Sequence, residues 1–254
     1  MKFFCISDVH GYYKEMKQAL DAAGFDPNNE EHWLISCGDE IDRGPDPWKV
    51  MIYLYNLPRK VLIRGNHIEL FEDLCYRGFP YSHDKSNGTY DSVRKIGRGF
   101  DFYEKSDYAL KRTRDYRDNL VNYFETKNHI FVHSWIPTIN KDGLPGYYTK
   151  NRLFEWNPNW RNASQKEWKE AMWGNPFDMA WRGFNKTGKT IVFGHWHCST
   201  GWTKAEGRSE FGVDAKFDPY YGVGFLGIDA CTAYSKKVNV VIIEDEFLEG
   251  SNEQ

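Results

Sequence analysis

No stretch of this 254-residue chain approaches the roughly 18 consecutive apolar residues that a membrane-spanning helix requires. Neither sign of charge dominates. Lys and Arg number 33 against 36 Asp and Glu, a net charge of −3, so no global basic field argues for nucleic acid or an anionic membrane as the main partner. Cysteine is scarce: Cys5, Cys37, Cys75, Cys198 and Cys231 make an odd five with no C-x-x-C spacing. That pattern opposes a disulfide framework and reads as small buried residues in a reducing compartment. There is no internal repeat and no low-complexity segment. The opening apolar run, Phe3 to Ile6, is too short for a secretory leader, and Asp8 and His10 follow at once. A cytoplasmic location is the expectation.

What is present fits a soluble globular α/β protein: 41% hydrophobic and 27% charged residues, in a length one large domain can use. Phe3–Ile6, Trp33–Cys37 and Val61–Ile63 are short apolar runs that predict buried strands. Each is followed by a polar turn and a helical pattern: Tyr13 to Ala23, Trp48 to Asn56, and Glu69 to Cys75. Three β-α units in a row predict parallel strands with their loops side by side. Residues 77–99 read as a loop or insertion and 105–125 as a charged helix. Over 94–117, eight Lys/Arg face four Asp/Glu, a solvated helix face or a docking patch for an anionic substrate. Eight of the ten tryptophans lie between Trp135 and Trp202, in an irregular segment with one predicted helix, Ser164 to Met172. Ile130–Val132 and Ile191–Phe193 are further strands. Val223–Ile228 and Val238–Ile243 predict a hairpin, and the acidic tail from Asp245 to Gln254 is expected to fray.

The residues immediately past the strands are chemically alike. Asp8, His10, Asp39, Asn66, His133, His195 and His197 are four imidazoles, two carboxylates and one amide. Any one of them alone is better explained as a cap or a hydrogen-bonded loop residue. Five strand ends finishing in ligand-type residues are not, and His, Asp and Asn together are metal-ligand chemistry. Seven such groups exceed the needs of one ion and suit two ions about 3.5–4 Å apart sharing a carboxylate. Asp39, the central one, is the choice for the bridge.

Asp8-Val9-His10-Gly11, Gly38-Asp39-x-x-Asp42-Arg43-Gly44, Arg64-Gly65-Asn66-His67, Val132-His133 and Gly194-His195 resemble the ordered motifs of the calcineurin-like metallophosphoesterases, and within them the phosphoprotein phosphatase branch in its compact form. The resemblance implies an α/β fold, a four-layer αββα sandwich of two mixed sheets with flanking helices. It implies one domain over 1–254, with insertions at about 77–128 and 137–187 shaping the substrate side. It implies two divalent ions, manganese first and iron or zinc as alternatives: Asp8, His10 and Asp39 for one, and Asp39, Asn66, His133 and His195 for the other. His67 would be the general acid, Asp42 its supporting carboxylate, and Arg43, Arg64 and Arg182 the phosphate clamp.

Three departures stand out. Ile68 separates His67 from Glu69, so Glu69 receives no role. Gly194-His195-Trp196-His197 extends the branch's Gly-His-Thr in the manner of the wider superfamily, which places His197 among the ligands. Asn175 replaces an Asp and is assigned nothing. The expected function is hydrolysis of phosphate monoesters in phosphoproteins or small esters. The rivals are a nucleotide hydrolase of the diadenosine tetraphosphatase kind, with tryptophans stacking bases, and a metal-bound binding protein without catalysis.

Overall fold

Side-chain alternation decides the architecture. In a strand, successive residues face opposite sides. Phe4 and Ile6 lie in one apolar cluster while Phe3 and Cys5 lie in another. In the strand ending at Val132 the same division sends Phe131 one way and Ile130 and Val132 the other. Each sheet is therefore apolar on both faces and must be covered twice.

The computed structural model describes residues 1–142 and 153–248. Its elements run β1 (Lys2–Ile6), α1 (Tyr13–Ala22), β2 (His32–Ser36), α2 (Pro47–Tyr55), β3 (Lys60–Ile63), α3 (Asn66–Arg77), α4 (Ser82–Ser86), α5 (Thr89–Ile96) and α6 (Phe102–Asp118). Then come β4 (Leu120–Val121), β5 (Tyr123–Glu125), β6 (His129–Val132), β7 (Ile139–Asn140), β8 (Phe154–Glu155), α7 (Gln165–Met172), α8 (Pro176–Trp181) and β9 (Thr190–Phe193). The chain closes with α9 (Ser199–Glu206), β10 (Tyr220–Gly222), β11 (Phe225–Gly227), α10 (Thr232–Ser235) and β12 (Val241–Glu244). The first sheet has the order β12-β1-β2-β3-β4, parallel except for β12. The second has the order β10-β11-β9-β6-β5, with a parallel centre and antiparallel edges.

Three apolar layers separate these parts. One lies between the first sheet and its helices, where Phe4, Ile6 and Leu34 meet Met16, Leu20, Met51, Phe71 and Val93. The middle layer joins the sheets, with Phe3, Cys5, Ile35 and Ile63 against Phe131, Val192, Leu226 and Ile228. The third holds Trp135, Trp160, Trp168 and Phe177 against Ile130, Ile191 and Phe193. Two mixed sheets flanked by helices are the expected sandwich. The helix boundaries follow local chemistry: Pro47 opens α2, Asp101 caps α6 by accepting from Glu104 N at 2.8 Å, and Asn175 caps α8 ahead of Pro176.

Several expectations are corrected. Residues 77–99 are not a loop: α4 and α5 lie there, too short and too polar to carry a visible period. The predicted helix over 105–125 is α6, which stops at Asp118 before β4 and β5. The aromatic segment holds α8 and a β7–β8 pair besides α7. The predicted hairpin is wrong, because β11 joins the second sheet and β12 the first, with α10 between them. The start of the tail does not fray. Phe247 packs on Phe3, Trp33 and Phe124, and Asp245 accepts hydrogen bonds from Thr126, Asn128 and His129. Its last residues, like 143–152 within the second insertion, lie outside the described residues. Among those described, no helix is long and apolar enough to cross a membrane. The cysteines are unpaired, and all but Cys231 are buried.

Candidate active site

The parallel strands of both sheets end on one edge, and the backbone there is unusual. Among the described residues, eight non-glycine positions have positive φ, and Asp8, His10, Asp39, Asp42, Arg43 and His195 are six of them. Left-handed backbone costs such residues of order 1–3 kcal/mol each and persists only where the surroundings over-determine it. Two glycines supply part of that determination. A Cβ at Gly194 would strike Ser7 Oγ and Asp8 Oδ2, and one at Gly65 would strike Asp39. The loops approach each other only because these positions have no side chain.

Two groups of ligand-type atoms result: His10, Asp39 and His67, and Asp39, His133 and His195; the first has His67 where Asp8 was expected, and Asp8 Oδ1 stands 3.9 Å from His10 Nε2. Asp39 belongs to both. In the second group the atoms converge closely. His133 Nε2 lies 2.8 Å from Asn66 Oδ1 and 3.2 Å from His195 Nδ1, which is itself 3.0 Å from Asn66 Oδ1. Asp39 Oδ2 is 3.4 Å from His133 Nε2. The imidazoles are oriented from behind. His10 Nδ1–H donates to the Ile41 carbonyl at 2.8 Å and His133 Nδ1–H to the Cys37 carbonyl at 2.7 Å, so each presents Nε2 to the centre. Asp39 Oδ1 accepts the His67 N–H at 3.0 Å at the start of α3, which leaves Oδ2 facing inward. Asp8 is bonded by Ser7 Oγ and by the backbone N–H of His195.

Electrostatics point the same way. Burial, then the charge of Asp8, pushes the Asp39 carboxyl well above its usual range, and burial raises Asp8 too. Burial holds the imidazoles of His10, His67 and His195 well below their usual value, helped by Arg43 for the first two and by His133 for the third. Buried carboxylates that destabilise one another, facing neutral imidazoles whose nitrogen lone pairs converge, form a donor set suited to divalent cations.

His67 lies between this centre and a support. Its Nδ1–H donates to Asp42 Oδ2 at 2.6 Å, and Asp42 is fully buried. Burial pushes the Asp42 carboxyl up to about 7, against the lowering effect of its hydrogen bonds with Thr89 and Ser92. Arg43 reaches across the opening, donating from Nη1 to His10 Nε2 at 2.7 Å and from Nη2 to His67 Nε2 at 3.2 Å. Arg64 pairs with Glu72 at 3.1 Å and lines a small cavity with His133.

Arg182 and His197 are directed elsewhere. Arg182 lies by Asp178, at 3.5 Å, and over the rings of Phe154 and Phe184. His197 Nδ1 lies 2.8 Å from Ser199 Oγ, and its ring packs on Phe211 at 4.8 Å, outside both ligand groups. The cations of the 94–117 stretch are largely engaged internally: Arg117 pairs with Glu72 at 2.6 Å, Arg112 lies over Trp48 and Lys95 donates to the Gly44 carbonyl.

Four residues received no role from the sequence. Asp229 lies near Asp8 and Asp39, is pushed well up by burial and then by Asp8, and accepts the Cys231 N–H. Ile228-Asp229-Ala230 resembles the branch's Ile-Asp-Thr, so the residue was visible in the sequence and lacked only a role. Glu69 accepts the Trp173 indole N–H at 3.1 Å and pairs with Lys169 at 3.0 Å, tying α7 to α3. Thr89 and Ser92 reach Asp42 from α5, and no sequence pattern marked them.

The sequence profile of the calcineurin-like phosphoesterases matches residues 1–199. Over 68 residues the chain is 44% identical to a symmetrical bis(5'-nucleosyl)-tetraphosphatase of Buchnera aphidicola subsp. Schizaphis graminum, a match of 26% of this chain and 24% of that protein. The matched stretch thus spans about a quarter of that relative's length. A serine/threonine protein phosphatase from Saccharomyces cerevisiae shares the fold with a TM-score of 0.57 at 14% identity, covering 99% of this chain and 82% of that one. A crystal structure of a candidate diadenosine tetraphosphatase superposes with a TM-score of 0.52 at 17% identity, covering 98% and 95%.

Proposed function

The chain belongs to the calcineurin-like phosphoesterase family, and from that premise we propose a hydrolase that cleaves phosphate monoesters, of phosphoserine and phosphothreonine or of small esters, at a two-ion centre. The observation that carries the reading is Asp39 shared by two ligand groups, the first of which contains His67, whose Nδ1 lies 2.6 Å from Asp42. Asp8, His10 and Asp39 would hold one cation, and Asp39, Asn66, His133 and His195 the other, with manganese the first candidate and iron or zinc the alternatives. His197 would join them only after its ring turned from Ser199. Divalent cations, when bound, supply Lewis acidity toward the phosphoryl oxygens and the attacking water.

The protein's own groups do the rest. Arg43, exposed at the opening and 2.7 Å from His10, is placed to take phosphate oxygens with its guanidinium fork. Arg64, beside His133, is the second candidate, and Arg182 is the third, which must leave Asp178 to contribute. His67, after taking up a proton from solvent at Nε2 in place of the Arg43 contact, would deliver that proton to the departing oxygen while Nδ1–H remains on Asp42, so the ring keeps its orientation through the transfer. Neutral imidazole, favoured by burial and by Arg43, is the form left after delivery.

A second reading, hydrolysis of dinucleoside polyphosphates, is favoured by the names of the curated relatives. Against base stacking, Trp135, Trp160 and Trp168 are buried and Trp156, Trp181 and Trp196 pack beside them. The deciding experiment compares kcat/KM for phosphopeptides, p-nitrophenyl phosphate, mononucleotides, dinucleoside polyphosphates and cyclic nucleotides with manganese, iron and zinc. Monoester turnover abolished by chelator is expected. Turnover of dinucleoside polyphosphates alone would favour the second reading, and no turnover with any metal would leave the non-catalytic binding protein.

A further inference from the structure

The helix α5 was invisible in the sequence, yet it holds the loop carrying Asp42 and Arg43 at four points. Thr89 Oγ–H donates to Asp42 Oδ2 at 2.6 Å. Ser92 Oγ accepts the Asp42 N–H at 3.0 Å, and Lys95 Nζ donates to the Gly44 carbonyl at 2.8 Å. The fourth point is steric: a Cβ at Gly88, the left-handed residue just before α5, would strike Arg43 N. Thr89 and Ser92 are buried, and their hydroxyls serve a residue 47 and 50 positions away rather than their own helix. A threonine in the first helical turn ordinarily serves its own backbone or faces water.

The atoms involved make this more than packing. Asp42 Oδ2 receives two donors, Thr89 O–H and His67 Nδ1–H, both at 2.6 Å. Two partners on one oxygen fix the Asp42 carboxyl, and the His67 ring is held by Nδ1 with Nε2 turned toward the centre. The Ser92 bond and the Gly88 contact fix the backbone of two consecutive left-handed residues, Asp42 at φ 71° and Arg43 at φ 62°. Rotation of Asp42 would break the Thr89 bond and the His67 bond together.

We propose that Thr89 and Ser92 are positioning residues for the reaction: from α5 they fix Asp42, and through it orient His67 for proton delivery to the leaving oxygen. The inference rests on the reading of His67 as general acid. Its particular consequence is a dependence on the leaving group. A poor leaving group, such as an alkyl alcohol, needs the proton, whereas p-nitrophenolate departs with little help.

The test compares wild type, Thr89→Val, Thr89→Ser, Ser92→Ala and His67→Gln, each loaded with manganese, on an alkyl phosphate and on p-nitrophenyl phosphate. Thr89→Val should lower kcat on the alkyl ester about 10- to 100-fold, the scale for losing a hydrogen bond that orients a functional group. The loss on p-nitrophenyl phosphate should be smaller and KM little moved, and Thr89→Ser should restore kcat. A readout independent of turnover is the low-field Nδ1–H proton resonance of His67 in 15N-histidine-labelled protein loaded with diamagnetic zinc, assigned by its loss in His67→Gln. It should shift or broaden in Thr89→Val and return in Thr89→Ser. Ser92→Ala serves if Thr89→Val does not fold. Wild-type leaving-group dependence and an unmoved resonance in Thr89→Val or Ser92→Ala overturn the proposal alone. If His67→Gln itself shows no leaving-group dependence, the reading of His67 falls and this inference with it.

Discussion

The two sheets furnish unlike walls to the site. The first contributes Asp8, His10, Asp39, Asp42, Arg43, Asn66 and His67, on loops where five of these residues have positive φ. The second contributes His133 and His195, and their anchors reach back to the first wall: His133 Nδ1 to the Cys37 carbonyl, and the His195 N–H to Asp8 Oδ2. The first wall is braced by its own neighbourhood, through Ser7, Thr89 and Ser92. The second is registered in part upon the first and in part upon itself, through Gly194 N–H to the His133 carbonyl at 2.8 Å and the Trp173 backbone beside the His195 ring. Damage should therefore spread more readily from the first wall to the second than the other way.

The largest effect expected is that of Asp39→Ala, which removes the carboxylate common to both ligand groups. Metal content by inductively coupled plasma mass spectrometry should fall to background and turnover by on the order of 10⁴-fold, the scale for removing one member of a catalytic unit. Chelation of the wild type should lower Tm as well, since ions that bind only the folded state stabilise it. A variant that retained one tightly bound ion would break the asymmetry between the walls. Next comes a change remote from the chemistry. Trp160→Ala in the outer layer should cost about 3–5 kcal/mol in urea unfolding while leaving the ratio of metal to folded protein unchanged. A lost ion there would mean that the tryptophan layer, not the first wall, registers the second.

His133→Ala should act locally, removing one of two ions and lowering turnover by at least about 100-fold. Retention of the ion near His10, seen as one equivalent by mass spectrometry, is the sharpening result, and loss of both would contradict that asymmetry. The smallest effect concerns Asp245, far from the site. Burial alone would raise its pKa, but hydrogen bonds from His129, Thr126, Glu246 N and Asn128 N hold it well below the usual carboxylate range. A depressed folded-state pKa gives stability that is fully present above the unfolded value of about 3.9 and is lost as pH falls below it. Asp245→Asn should thus lower Tm at pH 7, and the gap to wild type should narrow below about pH 4. A gap independent of pH would refute the assignment.

The first wall was largely legible in the sequence. Apolar runs such as Trp33–Cys37 end abruptly in Gly-Asp, and helical spacing resumes at once, so both the β-α order and the residues at the strand ends follow from periodicity. The supports were not. Thr89 and Ser92 act across 47 and 50 residues, and a hydroxyl aimed at a distant carboxylate leaves no local pattern. The hairpin between 223 and 243 failed because strand propensity does not say which sheet a strand joins. The tryptophans are a different case. Trp135, Trp160 and Trp168 lie in a segment with no clear period, where packing is the preferred reading and base stacking the rival, and they are the outer core of the second sheet, which must cover its far face. For His197 and Arg182 the motif places the backbone, and the partners seen here, Ser199 at Nδ1 and Asp178, are ones no short run of sequence announces.

The middle layer acts as a gauge block. Phe3, Cys5 and Ile35 on one side and Phe131, Val192 and Leu226 on the other set how far apart the two sheets stand. The strands ending at Asp8 and Asp39 belong to one sheet and those ending at His133 and His195 to the other, so the spacing of those two pairs is set through a hydrocarbon film. Adding a methylene to that film, as Val192→Ile would, is expected to weaken metal binding, read by titration with manganese, without touching a donor. Tuning of the site is thus written in residues that carry no chemistry of their own.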